Sequence, residues 1–446
     1  MNNRWLKKTT GFVMMSTLMV GSVGCGNVKM TLPDVTKESK STGSDKLLKN
    51  SEVIEEDTND KLETIQSLIN GNFYFDDDEQ ALQDGIIKGY MEGLDDPYSV
   101  YYTKEEFDSF MQDNEGEYVG VGVQVSQAAD TKIVTVVKVF DDSPAKEGGM
   151  MADDIITKVD GEDISGLDID TIVDKIRGQE DTEVTITVYR SSDAKEYELT
   201  MKRKKVENPT VEYKMLDNNI GYVSVSSFYE VTANQYIAAV EDLKSQGMEG
   251  LIVDLRDNGG GLLDIAVEML DYMLPAGKIV YTEDKTGKIT SEYNSTDDEQ
   301  FTMPLALLVN GYSASASEIF AGAIKDYGIG TLVGTNTFGK GIVQRTFPLK
   351  DGSAIKLTIA KYFTPNGNDI HKIGIKPDIE VELDTDAYRE SKGEKDNQLD
   401  EAVNCILEKL GKEVPQKEES STSEEQAEEQ QTEQQQTEQQ QTEEQQ

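Results

Sequence analysis

Residues 304–346 read PLALLVNGYSASASEIFAGAIKDYGIGTLVGTNTFGKGIVQRT. The apolar run Leu305, Ala306, Leu307, Leu308, Val309 predicts a strand. Asn310-Gly311 marks a turn. Ser315-Ala316-Ser317-Glu318 has the spacing of a capping box, so a helix opens at about Ser315. Glycine-rich loops follow around Lys340. A small hydroxyl residue thus stands where a strand hands over to a helix, and a lysine between glycines lies further along.

The surrounding sequence supplies a sheet for this stretch. Ile220-Gly221-Tyr222-Val223-Ser224-Val225 predicts a strand, residues 233–246 a helix, and Leu251-Ile252-Val253-Asp254-Leu255 a buried strand. Arg256-Asp257-Asn258-Gly259-Gly260-Gly261 follows, then a helix from about Leu263. This alternation indicates a layered α/β domain over residues 206–384. Parallel strands would bring the glycine loop and the serine turn to the same carboxyl-end rim, where α/β sites form.

Upstream, residues 115–205 change to strand signals and read as a separate small module. Val119-Gly120-Val121-Gly122-Val123 is an apolar run interrupted by two glycines, and Val184, Ile186 and Val188 alternate cleanly. Residues 168–177 look like one short helix. Residues 46–114 are helical by period, with Leu62, Ile65, Leu68 and Ile69, then Leu82, Ile86, Ile87 and Met91, at helix spacing. Residues 385–412 form a C-terminal helical segment, in which Cys405 falls on an apolar face. Residues 413–446 are rich in Glu and Gln and lack any apolar period, so disorder is expected there.

The first 24 residues read as an export signal. Arg4, Lys7 and Lys8 precede a short apolar stretch over residues 11–23, which ends Ser22-Val23-Gly24-Cys25. This resembles a bacterial lipoprotein signal, with Cys25 as the lipidated N-terminus and residues 25–45 as a tether. A plain secretory signal is the alternative. The expected location is therefore the outer face of the cell membrane, lipid-anchored, or secreted.

The chain of 446 residues carries 43 Lys and Arg against 85 Asp and Glu, a formal net charge of −42. Nucleic acid is excluded as a partner, because phosphate binding needs clustered cations. One histidine and two distant cysteines make no metal cluster, and no cofactor is expected.

Ser313, Ser315 and Ser317 are all candidate nucleophiles, and local pattern alone makes Ser315 a helix cap. A serine nucleophile needs a base. A histidine triad would have to use His371, the sole histidine. A lysine can serve instead once its amine is neutral. Lys340 sits in Thr337-Phe338-Gly339-Lys340-Gly341-Ile342-Val343-Gln344, where Gln344, four residues on, shares its face in a strand or a helix. Gly334 and Gly339-Lys340 have P-loop spacing, but Gly341 stands where magnesium would need Ser or Thr.

In chain order, LDDPYS, VGVGV, SPA with DDIITKVDG, DLRDNGGG, SASASEI and GTNTFGKGIVQ resemble the C-terminal processing peptidases, or tail-specific proteases, over residues 60–384. The resemblance implies an α/β peptidase core with an inserted PDZ domain at 115–205. It implies a serine endopeptidase that cleaves extracytoplasmic proteins near their C-termini. Ser315 would be the nucleophile, Lys340 the general base and Gln344 its orienting partner. The N–H groups of Ala316 and Gly260 would form the oxyanion hole. Val119, Gly120, Val121, Gly122 and Val123 would receive a substrate C-terminus by β-addition. The family has glycine before Asp154 where this chain has Asp153, a residue that tolerates the left-handed conformation. Partners would be proteins or peptides with accessible C-termini and, through the lipid, the membrane. A non-catalytic PDZ adaptor is the alternative, and the PDZ domain could obstruct the site until peptide binds. Whether the helical ends pair two copies into a homodimer stays open.

Overall fold

The computed structural model describes residues 56–296 and 300–414. The leader, Cys25, the tether at 25–45 and the tail from residue 415 lie outside the described residues. Two compact units appear: Val343–Ala360 belongs with the chain up to Phe110, and Met111–Ile342 with the chain from Lys361 onward.

In the first unit, helices span Glu56–Asn72 and Glu79–Glu92, the second capped by Asp78, whose carboxylate accepts from the Gln80 and Ala81 N–H groups at 3.0 Å. The helical period is therefore realised, but Ile65, Leu68 and Ile86 stay exposed and only Met91 of the second stripe is buried. LDDPYS makes a tight turn in which Asp96 accepts from Ser99 Oγ (2.6 Å) and Tyr98 N (3.1 Å). Ser99 Oγ in turn accepts from Thr358 N. The turn feeds a strand, Val100–Tyr102, that pairs antiparallel with residues 354–356. That strand has too few residues to show a period and was not expected within the helical region.

In the second unit, an antiparallel sheet runs through Val123–Gln127, Val134–Val139, Asp154–Val159, Glu183–Arg190 and Lys195–Lys202. Val184, Ile186 and Val188 lie fully inside, as their alternation requires, packed on Ile172 and Ile176 of the helix Ile169–Ile176. Asp168 caps that helix through Thr171 N at 3.0 Å. Asp153 has φ 67°, the left-handed conformation its residue type tolerates. The module begins and ends in one antiparallel ribbon: Glu117–Gly120 pairs with Lys204–Glu207, and Asn208 N donates to Gly116 O at 2.7 Å.

The core sheet has the order Val211–Leu216, Ile220–Val225, Gly250–Asp254, Leu305–Val309, Thr331–Gly334, Ile379–Glu380. All pairs after the first are parallel. Leu305–Val309 is buried throughout, the pattern of a strand covered on both faces. Ile252, Ala306 and Leu308 pack on Ala402, Cys405 and Ile406 of the C-terminal helix Asn397–Leu410. Helices Thr232–Ser245, Leu263–Asp271 and Ala316–Tyr327 pack with one another and with strands of the unit. The alternation breaks where Gly277–Glu283 and Ile289–Ser295 form an antiparallel hairpin, and again after Thr331–Gly334, where strands follow one another without a helix. Among the described residues no helix is long and apolar enough to cross a membrane.

Candidate active site

Because Gly250–Asp254 and Leu305–Val309 run parallel in adjacent positions, their carboxyl-end loops meet. Asp257 N donates to Asn310 Oδ1 (3.0 Å) and Asn310 Nδ2 to Asp257 Oδ1 (2.9 Å). Ala314 N donates to Asn258 O at 3.0 Å. The glycine loop and the serine turn therefore share one rim, as the sequence pattern required.

The three serines of SASAS have different environments. Ser313 is fully buried; its Oγ donates to Leu255 O (2.7 Å) and accepts from Asn310 N (2.9 Å). Ser317 is also buried and donates to Asn258 O at 2.9 Å. Both hydroxyls hold the two loops together. Ser315 is half-buried and has φ 56°, ψ −114°, a strained backbone for a residue with a Cβ. The capping box read from the spacing forms. Ala316 is the first helical residue, so its N–H has no intrahelical acceptor.

Glu318, fully buried, does more than cap the helix. Its Oε2 accepts from Ser315 N (3.0 Å) and Lys340 N (2.8 Å). Its Oε1 accepts from Thr337 Oγ1 (2.6 Å) and Gly339 N (2.7 Å). Burial raises its carboxyl above the usual range, and the four donors act against that rise.

The Lys340 loop is held on its other side by residues 370–375. Lys372 N donates to Gly339 O (2.8 Å), Ile375 N to Thr337 Oγ1 (2.6 Å) and Asn336 Nδ2 to Ile373 O (2.9 Å). A Cβ at position 341 would overlap the backbone nitrogen of His371, which explains the glycine after the lysine. His371 thus borders the loop through its main chain. Lys340 is half-buried, and the hydroxyl of Tyr362 donates to the carbonyls of Lys340 and, at 3.0 Å, Ser315. Gln344 lies on the strand Ile342–Pro348 and belongs to the first unit, where its Nε2 donates to Thr358 Oγ1 at 3.4 Å.

Gly260 faces the serine turn: a Cβ there would lie 2.7 Å from Ala314 O, 2.8 Å from Ser315 Cβ and 3.0 Å from Ala316 N. Its N–H, expected to help bind an oxyanion, instead donates to Asn258 Oδ1 at 2.8 Å. Asn258 is fully buried and donates to Val225 O at 2.8 Å. Sequence reasoning passed over this asparagine, although it stands directly before the glycine triplet.

In the upstream module, Val123–Gln127 is an edge strand beside the helix Ile169–Ile176. Val121, Gly122 and Val123 line a cavity of about 510 Å³ between them; Val119 and Gly120 precede it on the ribbon. Its opposite wall comes from the core, with Pro209, Ser227 and Tyr229.

Residues 219–381 match peptidase family S41, residues 135–190 a PDZ domain, and residues 18–106 the activating protease CtpB N-terminal domain. A CtpA-like serine protease of Staphylococcus aureus (strain COL) is 40% identical over 332 residues, covering 74% of this chain and 65% of that protein. One of Staphylococcus haemolyticus (strain JCSC1435) is 38% identical, covering 72% and 64%. The chain thus spans a little under two thirds of the length of these relatives. A solved photosystem II D1 C-terminal processing protease is 29% identical, covering 72% of this chain and 86% of that one, with a TM-score of 0.43. With an S41 peptidase domain, a PDZ domain and a CtpB-type N-terminal region in one polypeptide, the chain belongs to the C-terminal processing peptidase family.

Proposed function

We propose that the protein is an extracytoplasmic serine endopeptidase acting through a Ser315–Lys340 dyad. The observation that carries this reading is the contrast among the serines. Ser313 and Ser317 hold backbone carbonyls, while Ser315 lies on a strained turn beside the Lys340 loop. The neutral Lys340 amine takes the proton from Ser315 Oγ as that oxygen attacks the scissile carbonyl carbon. The Ala316 N–H, at a helix N-terminus, supports the developing oxyanion. Gly260 takes part once its N–H leaves Asn258. The carbon–nitrogen bond then breaks, the lysine ammonium returns its proton to the leaving amine, and water releases the acyl group with lysine again as base.

The PDZ edge strand receives a substrate C-terminus, so cleavage falls near that end. The core residues on the far wall of the groove favour the reading in which the module restrains cleavage until peptide binds. Cys25 carries the lipid that keeps the enzyme at the outer membrane face.

Ser315→Ala or Lys340→Ala should abolish cleavage of an unfolded protein, and Ser315→Ala should also abolish fluorophosphonate labelling. Retained cleavage in either variant refutes the dyad; no activity or labelling in wild type favours the adaptor. Deleting residues 115–205 should raise basal cleavage, and a fall would instead mean recruitment alone. Cys25→Ala should shift the protein from the membrane fraction to the soluble one.

A further inference from the structure

The main chains of Ser315 and Lys340 share a partner at both polar ends. One oxygen of Glu318 accepts from both N–H groups, at 3.0 and 2.8 Å. The Tyr362 hydroxyl lies against both carbonyls. Helix capping does not account for this arrangement, since a cap needs only the Ser315 N–H. The other donors to Glu318 come from Thr337, Gly339 and Lys340, all on the second loop. Thr337 Oγ1 accepts from Ile375 N at 2.6 Å, which leaves its hydrogen for Glu318. Four donors around two oxygens select the ionised carboxylate, which only accepts.

We propose that Glu318 and Tyr362 are positioning residues for the peptidase reaction, a paired clamp that fixes the separation of nucleophile and base through their main chains. The proposal rests on the Ser315–Lys340 reading. Neither loop fixes that separation alone, because Ser315 stands on a strained turn of one and Lys340 in a glycine-rich part of the other. Glutamine at 318 would set an amide NH₂ against one pair of donors whichever way it turned. Phenylalanine at 362 would keep the buried ring and remove the bond to both carbonyls.

The test uses the full chain, an unfolded protein substrate and thermal melts. Glu318→Gln should lower kcat about 100-fold, the scale of an ångström-level misplacement, with KM nearly unchanged. Tyr362→Phe should lower kcat about tenfold, also without a KM effect. Glu318→Asp, which keeps the charge, should retain more activity than Glu318→Gln. Wild-type kcat in folded Glu318→Gln or Tyr362→Phe overturns the clamp, as does a change confined to KM. Should Glu318→Gln not fold, Tyr362→Phe decides alone. Ser315→Ala and Lys340→Ala run beside them: activity in either removes the dyad reading itself. Inactivity in both, with wild-type kcat in the clamp variants, removes only the clamp.

Discussion

Arg256 and Asp396 stand 140 positions apart and are joined by two hydrogen bonds, at 3.0 and 2.7 Å. The same guanidinium grips Asp254 at the end of the core strand Gly250–Asp254, with Nη2 2.6 Å from Oδ2. Asp396 is also the N-cap of the last helix, accepting from Gln398 N and Leu399 N. One arginine thus fastens the C-terminal helix to the strand that leads into the glycine loop. Arg256→Met would leave two buried carboxylates uncompensated. It should cost about 3–5 kcal/mol, read by denaturant unfolding.

The three serines should separate in paired stability and labelling measurements. Ser313→Ala leaves Asn310 N without its partner and takes one of two donors from Leu255 O, which keeps Asn258 N; this should cost about 1–3 kcal/mol while fluorophosphonate labelling persists. Ser315→Gly should do the reverse, relieving a strained φ worth about 1–3 kcal/mol while removing the label. A destabilised Ser315→Gly would mean that the hydroxyl matters more to the fold than its backbone strain does.

Gly260→Ala places a methyl group against Ala314 O and Ser315 Cβ. The serine turn must retreat, and a shift of this kind should cost on the order of 100-fold in kcat. Unaltered turnover with the alanine present would mean that the turn tolerates displacement.

Asp369 supplies a test in pH. Burial raises its carboxyl, but the Lys361 ammonium at 2.8 Å and the His371 N–H at 2.8 Å outweigh it and hold the group below the ordinary carboxylate value. A lowered folded value stabilises the fold above the unfolded value and is lost as pH falls through the folded one. Asp369→Asn should therefore cost up to about 1 kcal/mol at neutral pH, since the pair is partly exposed. The gap to wild type should close in acid, and a gap independent of pH would show that the charge is not its source.

Local signals were legible where the determinants are local. The buried strand Leu305–Val309, the short helix near residues 168–177, the alternation at Val184, Ile186 and Val188, and the left-handed Asp153 all follow from neighbours within a few residues. Glu318 shows the limit. Its spacing from Ser315 announced a capping box, yet three of its four donors lie 19 to 22 residues away. Tyr362 escaped for the same reason, as did the bond from Asn258 to Val225 O, 33 residues away, since these backbone groups are brought near only by the fold. The exposed faces at Ile65 and Ile86 show that a helical period forecasts a stripe without forecasting its burial.

The ribbon of Glu117–Gly120 and Lys204–Glu207 makes the PDZ module a cassette. Its entrance and exit touch at Gly116 and Asn208, so a splice of about two to four residues would close the chain without moving the ends of the core. Modules from relatives could be exchanged at the same joint. A library of grafted recognition domains on one unchanged cutting scaffold then becomes a matter of a single pair of junctions.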